Sequence, residues 1–69
     1  MSTMVYRKEL IPKVIEYFKK NKIATKGMIA KEFGISKFTA ETILSYLLGK
    51  GIIEKRYTYR EAVYIYIGE

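Results

Sequence analysis

The sequence contains no cysteine, histidine or aspartate, and only one proline. The missing cysteines exclude a disulfide staple, and with histidine also gone no zinc-finger core can form. Thiol and imidazole nucleophiles and bases are excluded as well. All seven acids are glutamate, so few carboxylate-metal chemistries remain. Catalysis would fall to Glu, Lys, Tyr, Ser or Thr, and no spacing pairs them as acid and base. The expectation is a chain that is not an enzyme and uses no cofactor or metal. No stretch approaches the roughly 18 apolar residues of a membrane span, and no signal-peptide pattern opens the chain. A cytoplasmic location without membrane contact is expected. Asparagine occurs once, at Asn21, and glutamine not at all. Thermolabile residues are depleted in this way in proteins from hot environments.

What is present is charge and apolar pattern. Thirteen Lys and Arg against seven Glu leave a net charge of +6 on 69 residues. A chain this short buries only about 60% of the surface its unfolded form exposes, so it is expected to build one domain, 1–69. Hydrophobic residues make up 49%, which argues for a packed core rather than disorder. The composition points to a binding module with a basic surface.

Leu10, Ile11, Val14, Ile15 and Phe18 recur at helical spacing, with Lys8, Lys13, Glu16 and Lys19 between them. Proline is comfortable only in a first helical turn, so Pro12 places the start near Glu9 and the first helix at about 7–20. Lys19, Lys20, Asn21 and Lys22 suit its C-terminus. Ile23-Ala24-Thr25 is too short for more than one rung of sheet. Thr25 is then an N-cap for a second helix, 26–33, with Ile29, Ala30 and Phe33 inward and Gly34 at its end. Ile35 is a buried anchor, and Ser36 caps a third helix, 37–49, whose core stripe is Ala40, Ile43, Leu44 and Leu47. Gly49-Lys50-Gly51 stops it. From Ile52 the period becomes 2. Ile53, Lys55 and Tyr57 share one side, with Ile52, Glu54, Arg56 and Thr58 on the other. Val63, Ile65 and Ile67 alternate with Tyr64 and Tyr66 after a turn near Tyr59-Arg60-Glu61. That turn lacks Gly, Asn or Asp at its tip.

Residues 26–43, KGMIAKEFGISKFTAETI, place a small Ala30 mid-way along one helix and a turn glycine, Gly34, four residues later. Ile29, Phe33 and Ile35 flank them, and Ala40 and Ile43 turn the next helix inward. Leu44, Leu47, Gly51 and Ile53 follow the run L-x-x-L-x-x-x-G-x-I. In these features the chain resembles the winged helix-turn-helix DNA-binding family, in particular small regulators of archaeal and viral type. The likeness spans roughly residues 8–67. It implies an α+β fold of three helices plus a C-terminal β-hairpin wing at 52–67. It also implies a recognition helix, 37–49, entering the major groove of double-stranded DNA, with transcription regulation as the activity. Regulators of this layout are commonly homodimers, which makes a homodimer through the first helix or the terminal strand the expectation. No small-molecule ligand is implied.

A weaker likeness joins Thr25, Lys50-Gly51-Ile52-Ile53 and Tyr64-Ile65-Tyr66 to a small winged-helix ribosomal protein of archaea and eukaryotes. The Lys-rich N-terminal extension and helical Arg pairs of that family are missing here. Winged domains that read left-handed Z-DNA carry an Asn and a Tyr one turn apart, where Glu41 and Ser45 stand in this chain. RNA binding and a protein–protein adaptor remain the alternatives.

The candidate DNA-binding residues are Ser36, Lys37, Thr39, Glu41, Thr42 and Ser45 on the third helix and Lys55, Arg56 and Arg60 on the hairpin. Lys37 and the first-turn N–H groups suit phosphate, while Thr39 and Thr42 suit base edges or thymine methyls. A solvated helix face would hold the same residues. Glu41 must meet cytosine N4 or be repelled by phosphate, and no Arg, Asn or Gln on this helix makes a bidentate base contact. Arg60 either lies along the backbone or minor groove or pairs with Glu61. Tyr57, Tyr59, Tyr64 and Tyr66 either stack unpaired bases or pack across strands. Lys19, Lys20, Lys22 and Lys26 suit flanking phosphate or a solvated helix end. Phe38, Tyr46, Leu48, Tyr6 and Met4 are surplus to the core and belong to a partner surface or a thicker core.

Overall fold

Leu10, Val14 and Phe18 stand four residues apart and are all buried, so one face of the first helix, α1 (Thr3–Asn21), is the floor of the core. This computed structural model describes residues 3–68, with side chains from Lys8 onward. The α1 helix starts earlier than Pro12 implies and carries the proline in its interior. An interior proline costs about 3 kcal/mol, because the carbonyl four residues back loses its donor. Here that carbonyl belongs to Lys8, and both Lys8 and Pro12 are exposed, so water reaches the side of the helix where the gap lies. Burial of the apolar face on either side of Pro12 holds the helix through it. Met4 and Tyr6 therefore fall within α1, and their side chains lie outside the described ones.

The helix ends at Lys22, whose φ of 71° is left-handed. Its N–H donates to the Phe18 carbonyl at 2.8 Å, and its own carbonyl accepts from the Tyr66 N–H at 2.7 Å. That turn lays β1 (Ile23–Ala24) against β3 (Ala62–Tyr66), with Ile23 opposite Ile65 and Ala24 opposite Tyr64. β2 (Ile53–Tyr57) pairs with the other edge of β3, from Ile53 opposite Tyr66 to Tyr57 opposite Ala62. The sheet is thus three-stranded and antiparallel, in the order β1-β3-β2. A hairpin alone undercounts it: Ile23-Ala24 makes two pairs rather than one rung.

The middle helices form at their local signals. The Thr25 hydroxyl accepts from the Met28 N–H, opening α2 (Lys26–Phe33), and Gly34 ends it at φ 64°. The Ser36 hydroxyl accepts from the Thr39 N–H, opening α3 (Lys37–Gly49). Past α3, Gly51 is left-handed at φ 74°. Its N–H reaches the Leu48 carbonyl and that of Ile52 the Leu47 carbonyl, each at 3.1 Å, which is the paired bonding of a Schellman motif.

Over the described residues the chain is an α+β fold of three helices and a three-stranded antiparallel sheet. Its core joins Val14 and Phe18 of α1, Ile29 of α2, the Ala40–Ile43–Leu44–Leu47 stripe of α3, and Ala24, Ile53 and Tyr64 of the sheet. The last three sit in rows that share one sheet face, so Lys55, opposite Tyr64, and Tyr57 stand on the helix-facing side. Glu54, Arg56, Val63, Ile65 and Ile23 occupy the other. No helix among the described residues is long and apolar enough to cross a membrane.

Candidate nucleic-acid interface

At 3.6 residues per turn, the side of α3 opposite its buried stripe carries Phe38, Thr42 and Ser45, with Glu41 on the flank toward α2 and the sheet. Phe38, Glu41 and Ser45 are exposed and Thr42 is half-buried. Thr39 is half-buried too, and its hydroxyl accepts from the Ser36 hydroxyl at 3.0 Å. Ser36 thus serves the helix end rather than pointing a free group outward. The Thr42 hydroxyl donates to the Phe38 carbonyl at 3.1 Å and is therefore spent within the helix. Lys37 and Ser45 are exposed and make no hydrogen bond or ion pair among the described residues.

Glu41 is not a bare carboxylate. The Lys26 ammonium, at the start of α2, donates to its Oε2 at 2.6 Å. The hydrogen bond from Lys26 and then the Lys26 charge hold the Glu41 carboxyl below the ordinary carboxylate value, and Lys55 adds to the effect. Lys26 is therefore committed to an acid 15 residues away. The lysines near the end of α1 are dispersed as well. Lys22 lies 5.1 Å above the Tyr66 ring, and Lys20 lines an open groove between α1 and α2 with Glu16 and Glu32.

Lys55 completes a crevice of about 240 Å³ between the start of α2, α3 and the hairpin, lined also by Thr25, Lys26, Glu41, Glu61 and Tyr64. Its ammonium stands 5.2 Å from the Tyr57 ring centre and 5.8 Å from that of Tyr64. A hydrogen bond to Tyr57, with the Tyr64 and Tyr57 phenols close by, pushes the Lys55 pKa above the ordinary lysine value. It stays charged at neutral pH.

Thr58 builds the hairpin tip that lacks turn residues. Its hydroxyl accepts from the N–H groups of Arg60 at 3.2 Å and Glu61 at 3.0 Å and donates to the Glu61 carbonyl at 2.8 Å. Arg60 makes no ion pair with Glu61; its guanidinium lies 5.7 Å above the Tyr59 ring. Tyr59 is 94% exposed and Tyr57 77%, whereas Tyr64 belongs to the core. The four hairpin tyrosines therefore do different things, and no two stand directly opposite each other across the strands.

Arg56 separates from the other candidates. It faces away from the helices on the outer side of β2, where its Nε donates to Glu54. Lys37, Lys55 and Arg60 form no salt bridge among the described residues. The sequence leaves the Lys26–Glu41 pair unmarked, whereas Phe38, surplus to the core by its position, is 73% exposed and so does not thicken the core. The signal for Phe38 is its place opposite the apolar stripe of α3. No cluster of His, Cys, Asp or Glu among the described residues is arranged to hold a metal. Comparison with protein-family models, with curated proteins and with solved structures finds no match to this chain.

Proposed function

We propose that this chain is a small winged-helix protein that binds double-stranded DNA and acts in transcription regulation, without enzymatic activity. In this reading α3 enters the major groove and the β2–β3 hairpin lies as a wing along the backbone or minor groove. One observation carries it: Glu41, the acid on the flank of α3, is paired with Lys26, while Lys37, Lys55 and Arg60 form no salt bridge among the described residues. An anionic surface meeting α3 and the hairpin would find unpaired cations and no unpaired carboxylate of α3. The Gly34–Ser36 turn joining α2 to α3 supports the same layout.

Association of two copies fits the outer sheet face. Ile23, Val63 and Ile65 stand there with Ile67 following in the same alternation, and its two charges, Glu54 and Arg56, cancel. Two such faces can meet without bringing unpaired cations together. Ile65→Lys would then yield a monomer in sedimentation, and a wild-type chain that sediments as a monomer would remove the dimer.

A second reading rests on Tyr57 and Tyr59, exposed beside Lys55 and Arg60 as stacking surfaces for unpaired bases are. Competition among duplex DNA, single-stranded DNA and structured RNA separates the readings. Preference for duplex supports the proposal. Preference for single strands or RNA, lost in Tyr59→Ala, replaces it with the second reading, and absence of binding to all three leaves a protein-binding role.

A further inference from the structure

The polar groups of α3 leave little for reading bases. Ser36 and Thr39 are bonded to each other, the Thr42 hydroxyl is spent on the Phe38 carbonyl, and Glu41 holds Lys26. Lys37 suits phosphate, and Ser45 is a short hydroxyl that pairs with any base. The largest group on the presented side of α3 is a phenyl ring. Phe38 is 73% exposed, in the first turn of the helix, and is absent from the set of side chains packed on the core. Its ridge neighbour one turn on is Thr42, half-buried, whose hydroxyl is occupied by the Phe38 carbonyl. The exposed ring thus stands on a helix side with no free hydrogen-bonding side chain longer than Ser45.

The major groove offers one apolar group, the 5-methyl of thymine. We infer that Phe38 is a specificity-determining residue of α3 that packs on thymine 5-methyl groups. The inference rests on the duplex-DNA reading above and deepens it. Base preference by α3 then follows methyl content at C5 of the pyrimidine rather than a hydrogen-bond pattern. The free chain gains nothing from an exposed phenyl, whereas covering it against a methyl removes apolar area from water on both partners.

The test uses a short A·T-rich duplex and the identical duplex with deoxyuridine in place of thymidine, which removes only the 5-methyl groups. Losing a buried methyl corresponds to about a fourfold change in affinity. Wild-type chain is expected to bind the thymidine duplex at least about fourfold more tightly, and Phe38→Ala to bind the two alike. Substituting 5-methylcytosine for cytosine in a G·C-rich duplex restores a methyl at the same place in the groove and is expected to strengthen binding of the wild type but not of Phe38→Ala. Because Phe38 is exposed, the variant should melt at the wild-type temperature, which the same samples report. Equal wild-type affinity for the thymidine and deoxyuridine duplexes, or a preference that survives in Phe38→Ala, overturns the inference and leaves duplex binding standing. Failure of the wild type to bind any duplex overturns both.

Discussion

Left-handed backbone closes both α1 and α2, at Lys22 with φ 71° and at Gly34 with φ 64°. A side chain in that region costs about 1–2 kcal/mol, a cost glycine avoids. A Cβ at Gly34 would meet nothing within 4 Å, so Gly34→Ala should lose about 1–2 kcal/mol through the backbone alone. Lys22→Gly relieves the same strain, offset by about 0.5–1 kcal/mol of added unfolded-state entropy and by loss of the contact with Tyr66. Urea denaturation should therefore show Gly34→Ala clearly destabilised and Lys22→Gly equal to or slightly above the parent. Glu41 gives a pH-dependent counterpart. Its folded-state pKa lies below the ordinary 4.5, so the stabilisation from Lys26 is complete above that value and is lost as pH falls through the lowered one. The pair is exposed, so the effect on stability is small. An NMR titration of the Glu41 carboxyl reads it directly: Lys26→Met should move the midpoint up toward the ordinary value, and an unmoved midpoint would mean that the pair does not form.

Thr58 is the single side chain that organises the β2–β3 connection. Thr58→Val removes its donated and accepted hydrogen bonds at an exposed site and should cost about 1 kcal/mol, with faster amide exchange confined to Arg60 and Glu61. Exchange that quickened equally in α3 would show that the tip is not a separate unit. The elements differ in how far the sequence announces them. α2 and α3 lie where Thr25, Gly34, Ser36 and Gly51 put them, because a cap or a left-handed glycine acts within four residues. The start of α1 is hidden, since Pro12 argues locally against a helix that burial of Leu10, Val14 and Phe18 sustains. β1 depends on pairing Ile23 with Ile65, far along the chain, and the Thr58 turn replaces the usual glycine with a hydroxyl. At the site, alternation separates Lys55 from Arg56, but which of them faces α3 is decided by burial of Ile53 and Tyr64. The Lys26–Glu41 pair joins two helices and leaves no local pattern.

Over the whole molecule, the net charge of +6 is spread along the chain, with lysines on all three helices as well as cations on the hairpin. The outer sheet face carries a cancelled pair, Glu54 and Arg56, whereas Lys55 on the inner face, Lys37 on α3 and Arg60 at the tip form no salt bridge among the described residues. Binding of duplex DNA should release counterions in proportion to the phosphates met, so affinity falls with salt by about 0.9 log units per contact for each tenfold rise. All four cations are exposed, and replacing any one with alanine should change folding by no more than about 0.5 kcal/mol. The most direct measurement is the slope of log affinity against log salt for a duplex, in Lys37→Ala, Lys55→Ala, Arg60→Ala and Arg56→Ala. The first three should each lower the slope by about 0.9, and Arg56→Ala should leave it at the parent value. A flat salt response in the parent, or a loss in Arg56→Ala as large as in the other three, would contradict docking through α3 and the hairpin.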